Sequence, residues 1–89
     1  MSVFSIQSFR PNSELAATVE RVYDGRLFKL SETSWFVTDT ATVKTVTEKI
    51  GVDNEGGFSG VVVIGVTPSY WGRSTASLWD WLRAAFEAE

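Results

Sequence analysis

The chain has 89 residues, eight Lys and Arg against eleven Asp and Glu for a formal charge of −3, and neither cysteine nor histidine. Those two absences exclude a disulfide framework, a zinc site of the usual Cys/His kind, a thiol nucleophile and a His-based triad, and the acidic balance disfavours nonspecific attachment to phosphate backbones. With 44% hydrophobic and 21% charged residues the composition is that of a globular chain, read here as a single domain spanning residues 1–89.

The segment Met1-Ser2-Val3-Phe4-Ser5 has no basic stretch leading into an apolar one. The longest apolar run, Val61 to Val66 with Gly65 inside it, is far below the ~18–20 residues that span a bilayer. A soluble, cytoplasmic protein with no membrane partner is the expectation.

Val3 to Phe9 alternate imperfectly without Gly or Pro and predict a strand with Phe4 and Ile6 on one face. Arg10 to Ser13 break the pattern, and Asn12 or Ser13 suits a helix cap. Leu15, Val19, Val22 and Tyr23 recur at helical spacing, and Asp24-Gly25 is a stop signal. Arg26–Leu30 and Ser34–Thr38 are short runs of β-formers around the polar Ser31-Glu32-Thr33, which predicts a hairpin.

Asp39 and Thr40 offer a cap to a second helix carrying Val43, Val46 and Ile50, with Gly51 at its end. Residues 52–60, with Asp53, Asn54, Glu55 and three glycines, read as a mobile loop. The run Val61–Val66 predicts a strand buried on both faces. A turn-rich connector, Thr67 to Arg73, leads to a last helix over about 75–88, capped by Ser74 or Thr75. Its Leu78, Trp79, Trp81, Leu82, Ala85 and Phe86 fall within an arc of ~160°, opposite Asp80, Arg83 and Glu87.

The order β-α-β-β-α-β plus a further helix is the ferredoxin-like α+β arrangement. It implies a four-stranded antiparallel sheet in the order 4-1-3-2 with an additional C-terminal helix. The fourth strand is then an edge, apolar and without charge or proline, which calls for cover by the last helix or by a second copy. Trp71, Trp79 and Trp81 exceed what so small a sheet face needs, so a homodimer built from that strand, the connector and the last helix is expected.

Two segments bear a resemblance. Ser5-Ile6-Gln7-Ser8-Phe9-Arg10-Pro11 matches a first strand of the form S-Y-D-L-N-x-P, and Thr33-Ser34-Trp35-Phe36-Val37 matches a hairpin strand of the form S-T-W-L-V. In these the chain resembles the CRISPR-associated ferredoxin-fold nuclease and scaffold superfamily, most closely its SinR-like relatives of unclear function. The resemblance implies the same fold and a dimeric habit. In the family's nucleases the first-strand aspartate is paired across a dimer axis and binds the metal; Gln7 stands there and cannot supply the anionic oxygen a hard divalent ion prefers.

Without His or Cys, catalysis would fall to carboxylates, lysine, serine or tyrosine. Asp39 precedes a helix, where a cap is the commoner role. Asp53 and Glu55 lack the spacing of a calcium loop, and Gly56, Gly57 and Gly60 lack the Gly-Lys-Ser/Thr ending of a phosphate loop. No cofactor, metal site or catalytic residue is therefore assigned.

The best candidate surface is Tyr70, Trp71 and Arg73 with Arg10, joined by Trp79, since arginine beside aromatics suits a protein hot spot or a stacked base. Against it stands the plainer role in which Trp71 packs on the last helix, Arg73 is solvated, and Trp79 and Trp81 serve the core or a dimer interface. The leading reading is a non-catalytic homodimeric interaction module for an unknown protein or, less favoured by the charge, a nucleic acid. The alternatives are a divalent-metal nuclease in which Glu32, Asp39 or Asp53 replaces the missing carboxylate, and a small acidic inhibitor from a mobile element.

Overall fold

The alternation of side chains along the strands sets the architecture. In a computed structural model that describes residues 2–52, 60–67 and 76–87, strand β1 (Ser2–Ser8) directs Phe4 and Ile6 to one side and Val3 and Ser5 to the other, and all four are buried. A strand covered on both faces belongs in the middle of a sheet. β1 pairs antiparallel with β3 (Ser34–Asp39), placing Phe4 opposite Val37 and Ile6 opposite Trp35. Along its other side runs β4 (Val61–Val66), with Ile6 opposite Val63 and Phe4 opposite Gly65. β2 (Leu27–Ser31) completes the antiparallel order β2-β3-β1-β4.

The hairpin differs slightly from its expected bounds. β2 begins one residue later than Arg26 and runs through Ser31, so the turn shrinks to Glu32-Thr33, where Ser31 Oγ accepts from the Thr33 amide at 3.2 Å. A register shift between Lys29 and Ser31 leaves Leu30 unopposed and 47% exposed.

Helix α1 (Ser13–Val22) is capped by Asn12, whose Oδ1 accepts from the amides of Glu14 and Leu15 at 3.0 and 3.1 Å. It buries Leu15 and Val19, with Tyr23 just past its end. α2 (Val43–Lys49) is capped by Thr42, not by Asp39 or Thr40: Thr42 Oγ1 accepts from the Thr45 amide at 3.2 Å. Asp39 is otherwise engaged, as described below. Val46 and Ile50 are buried as their spacing requires, whereas Val43, expected on the same face, is 40% exposed at the sheet margin.

α2 ends in a paired-carbonyl stop. The Gly51 amide reaches the Glu48 carbonyl and the Val52 amide the Thr47 carbonyl, with Gly51 at φ +82 and Val52 packed on the core. Phe4, Ile6, Trp35, Val37 and Val63 meet α1 and α2 in one cluster.

The opposite face carries α3 (Ala76–Glu87), within the expected span; its expected caps Ser74 and Thr75 lie outside the described residues. Leu78, Leu82 and Ala85 pack on Val3, and Trp81 tilts against Phe28 and Phe36 with ring centroids 6.2 and 6.4 Å away. Asp80, Arg83 and Glu87 face outward as expected. α3 lies mainly over β1 and β2, and this overturns one expectation. β4 is not buried on both faces: Val63 is covered, but Val62 and Ile64 are each 49% exposed.

Replacing Gly51 with alanine forces a side chain into a left-handed backbone conformation and should destabilise the fold by about 1 kcal/mol. A thermal melt should show Tm falling by ~4–8 °C.

Candidate interaction surface

A buried charge with a perturbed pKa is a candidate for chemistry, although structural ion pairs carry the same mark. Asp39, the last residue of β3, retains only 4% of its side-chain exposure. Its Oδ2 accepts from the Tyr23 hydroxyl and from Lys49 Nζ, both at 2.8 Å, and its Oδ1 accepts from the Ala41 amide at 3.1 Å. Burial by itself would raise the carboxyl pKa. The hydrogen bonds from Lys49, Tyr23 and Ala41, with the charge of Lys49, outweigh it and hold Asp39 at about 2 against an ordinary 3.8.

Tyr23 moves the other way. Burial of the phenol, then its hydrogen bond to Asp39 and that residue's negative charge, push its pKa well above the usual value, although Arg26 opposes the shift. The Arg26 guanidinium stands 5.2 Å from the Tyr23 ring centroid, with its Nη2 donating to the Val22 carbonyl at 3.1 Å.

This cluster joins the end of α1, the end of β3 and the end of α2, and both oxygens of Asp39 are engaged. It is a staple between elements, with no vacant carboxylate oxygen set for a base or a metal. Of the other carboxylates weighed as replacements, Glu32 is exposed on the hairpin turn and Asp53 lies outside the described residues, as does Glu55. Gln7 is exposed on β1, its amide donating to Ser5 Oγ at 3.2 Å. Among the described residues no group of three or more His, Cys, Asp or Glu gathers where a metal could sit, and no helix is long and apolar enough to cross a membrane.

Of the expected surface residues, Tyr70, Trp71 and Arg73 lie outside the described residues. Trp79 is half-buried and packs against the α3 cluster around Val3, near the start of β1. Arg10 is exposed past the other end of β1, in a shallow depression with Ser8, Pro11, Asn12 and Gly60.

A different surface emerges beside Arg10. The Phe9 amide donates to the Gly60 carbonyl at 2.6 Å, carrying the β1–β4 ladder one step past the strand end, while the Phe9 side chain is 82% exposed. By alternation Phe9 and Gln7 point to the same side as Val62 and Ile64, away from α1 and α2. Phe9, Val62 and Ile64 therefore form an apolar strip on the half of the sheet that α3 leaves open.

Sequence reasoning missed this strip. The run Val61–Val66 announced burial, and only a count of helices per face distinguishes a covered strand from a half-covered one.

No known protein-family profile matches the chain, and no curated protein matches it in sequence.

Because the folded pKa of Asp39 lies below its unfolded value, the unfolded chain takes up the extra proton. The stabilisation is full above about pH 4 and is lost as pH falls toward 2, by on the order of 2 kcal/mol. Denaturant midpoints at pH 5 and pH 2 should show this fall in the native chain, and Asp39→Asn should lack that component of it.

Proposed function

We propose that the chain is a non-catalytic interaction module of ferredoxin-like fold that acts as a homodimer through the apolar strip around β4. The observation that carries this reading is the half-exposure of Val62 and Ile64 on an edge strand that no described strand covers. An exposed apolar edge is a standing liability in a monomer and an asset at an interface. The three hydrogen bonds that Asp39 accepts support contact over catalysis, since they engage both oxygens of the carboxylate at the end of β3 that the nuclease alternative would need.

The element order and the central, doubly covered β1 support the ferredoxin-like assignment. They accord with kinship to the CRISPR-associated superfamily and its SinR-like relatives, which belongs to the same proposal. Tyr70, Trp71 and Arg73, with Trp79, remain the proposed surface for a protein or nucleic-acid partner of the dimer, and Arg10, past the opposite end of β1 from Trp79, is set apart from it.

Light scattering on a sizing column at ~10–100 μM should give the mass of two chains, a range suited to a small interface. Ile64→Lys should return it to one chain with unchanged circular dichroism, because a half-exposed side chain contributes little to the core. A native chain that stays monomeric throughout the range overturns the reading.

A further inference from the structure

The ladder on the inner side of β4 determines what its outer side can bind. In antiparallel pairing, successive residues alternate between exchanging both backbone hydrogen bonds with the neighbour and turning those groups away. The Phe9 amide bonds the Gly60 carbonyl, and Gln7 lies opposite Val62, Ser5 opposite Ile64 and Val3 opposite Val66. The even-numbered residues of β4 thus bond inward to β1. On the other side of β1, the Ser8 amide bonds the Thr33 carbonyl, in keeping with the same alternation.

It follows that Val61, Val63 and Gly65 turn their amides and carbonyls outward, along an edge that no described strand occupies. The opposite edge is less inviting: β2 carries Lys29 and an irregular register before Ser31. β4 has no charged residue, no proline and no irregularity in its pairing.

We infer that β4 pairs antiparallel with β4 of a second copy about a two-fold axis through Val63, joining two four-stranded sheets into one. This rests on the reading of the chain as a self-associating module and adds the geometry of the contact. Only odd-numbered residues have groups to share, so the axis passes through Val62, Val63 or Ile64. An axis at Val63 pairs Val63 with the partner's Val63 and Val61 with the partner's Gly65, using all three outward residues in about six hydrogen bonds. Either alternative leaves one outward residue out and yields about four.

Side chains favour the same axis. Val62 comes opposite the partner's Ile64 in a non-hydrogen-bonded pair, where Cβ atoms approach to ~4.5–5.5 Å, so two half-exposed aliphatic side chains cover each other twice over. On the helix side, the partner's Val61 arrives opposite Gly65, which has no side chain and lies beneath the exposed Val43. With no charge on the strand, two acidic chains meet there without like charges in register. A contact built on one six-residue strand from each copy belongs with small interfaces, so the dimer should be reversible and concentration-dependent.

Since the chain has no cysteine, introduced thiols report the register directly. Val62→Cys and Ile64→Cys, each first checked for a native circular dichroism spectrum, should form little disulfide dimer alone under mild oxidation and at least ~10-fold more when mixed. Self-linking of Val62→Cys, or of Ile64→Cys, as efficient as the mixture would overturn the Val63 axis. Amide exchange on the native chain gives a readout without substitution. The Val61, Val63 and Gly65 amides should slow about tenfold or more between dilute and concentrated samples, while those of Val62 and Ile64 stay protected in both. Light scattering that shows two chains without these signatures would sink the strand pairing and leave self-association standing; a monomer by all measures sinks both.

Discussion

A sheet of four strands is about 19 Å wide, whereas a helix with its side chains covers about 10–12 Å of it. Much of this molecule follows from that mismatch. On one face two helices, α1 and α2, suffice, and Phe4, Ile6, Trp35, Val37 and Val63 are sealed beneath them. On the other face α3 is the one helix among the described residues. It settles over β1 and β2, where it meets Val3 and the larger Phe28 and Phe36, and Val62 and Ile64 of β4 are left half-exposed. The exposed strip is therefore what remains when one helix meets a sheet about twice its width.

Within the sealed layer, the Tyr23–Asp39–Lys49 cluster supplies direction that apolar packing lacks. Hydrophobic contacts tolerate sliding, but a buried carboxylate with engaged oxygens does not. By drawing the α1 terminus and the α2 terminus to the end of β3, Asp39 fixes how both helices lie on the sheet. Lys49 remains 42% exposed, so its charge is partly met by water, while Tyr23 and Asp39 are not. Among the side-chain polar atoms of the described residues, the Trp35 indole N–H is buried without an acceptor.

Much of this was legible in the chain itself. Period-two patterns around Phe4 and Ile6, helical spacing through Leu15 and Val19, and the apolar arc of Leu78, Leu82 and Ala85 each placed an element and its buried face, because burial imposes those periods. Three things were not legible, for separate reasons. Asp39 reads as a cap because its real partners, Tyr23 and Lys49, lie 16 and 10 residues away and are joined to it only by the fold. Val43 sits at helical spacing yet over the sheet margin, and periodicity carries no information about where a sheet ends. The run Val61–Val66 looks the same whether its second face meets a helix or water, so the strip of Phe9, Val62 and Ile64 had no local signal. The aromatic surface centred on Trp71 rested on composition, and of it only Arg10 and Trp79 fall in the described residues.

The two edges of the sheet are unlike each other, and for the proposed dimer that difference sets how association would end. Were both edges regular and apolar, each added copy would present a fresh edge to the next, and the product would be a fibre. Here the slipped register at Leu30 and the charge on Lys29 break the β2 edge. A copy docked through β4 then exposes only a β2 edge on its far side. In the proposed dimer growth then has nowhere to continue, and a strand edge that could otherwise polymerise would become a contact that closes on itself.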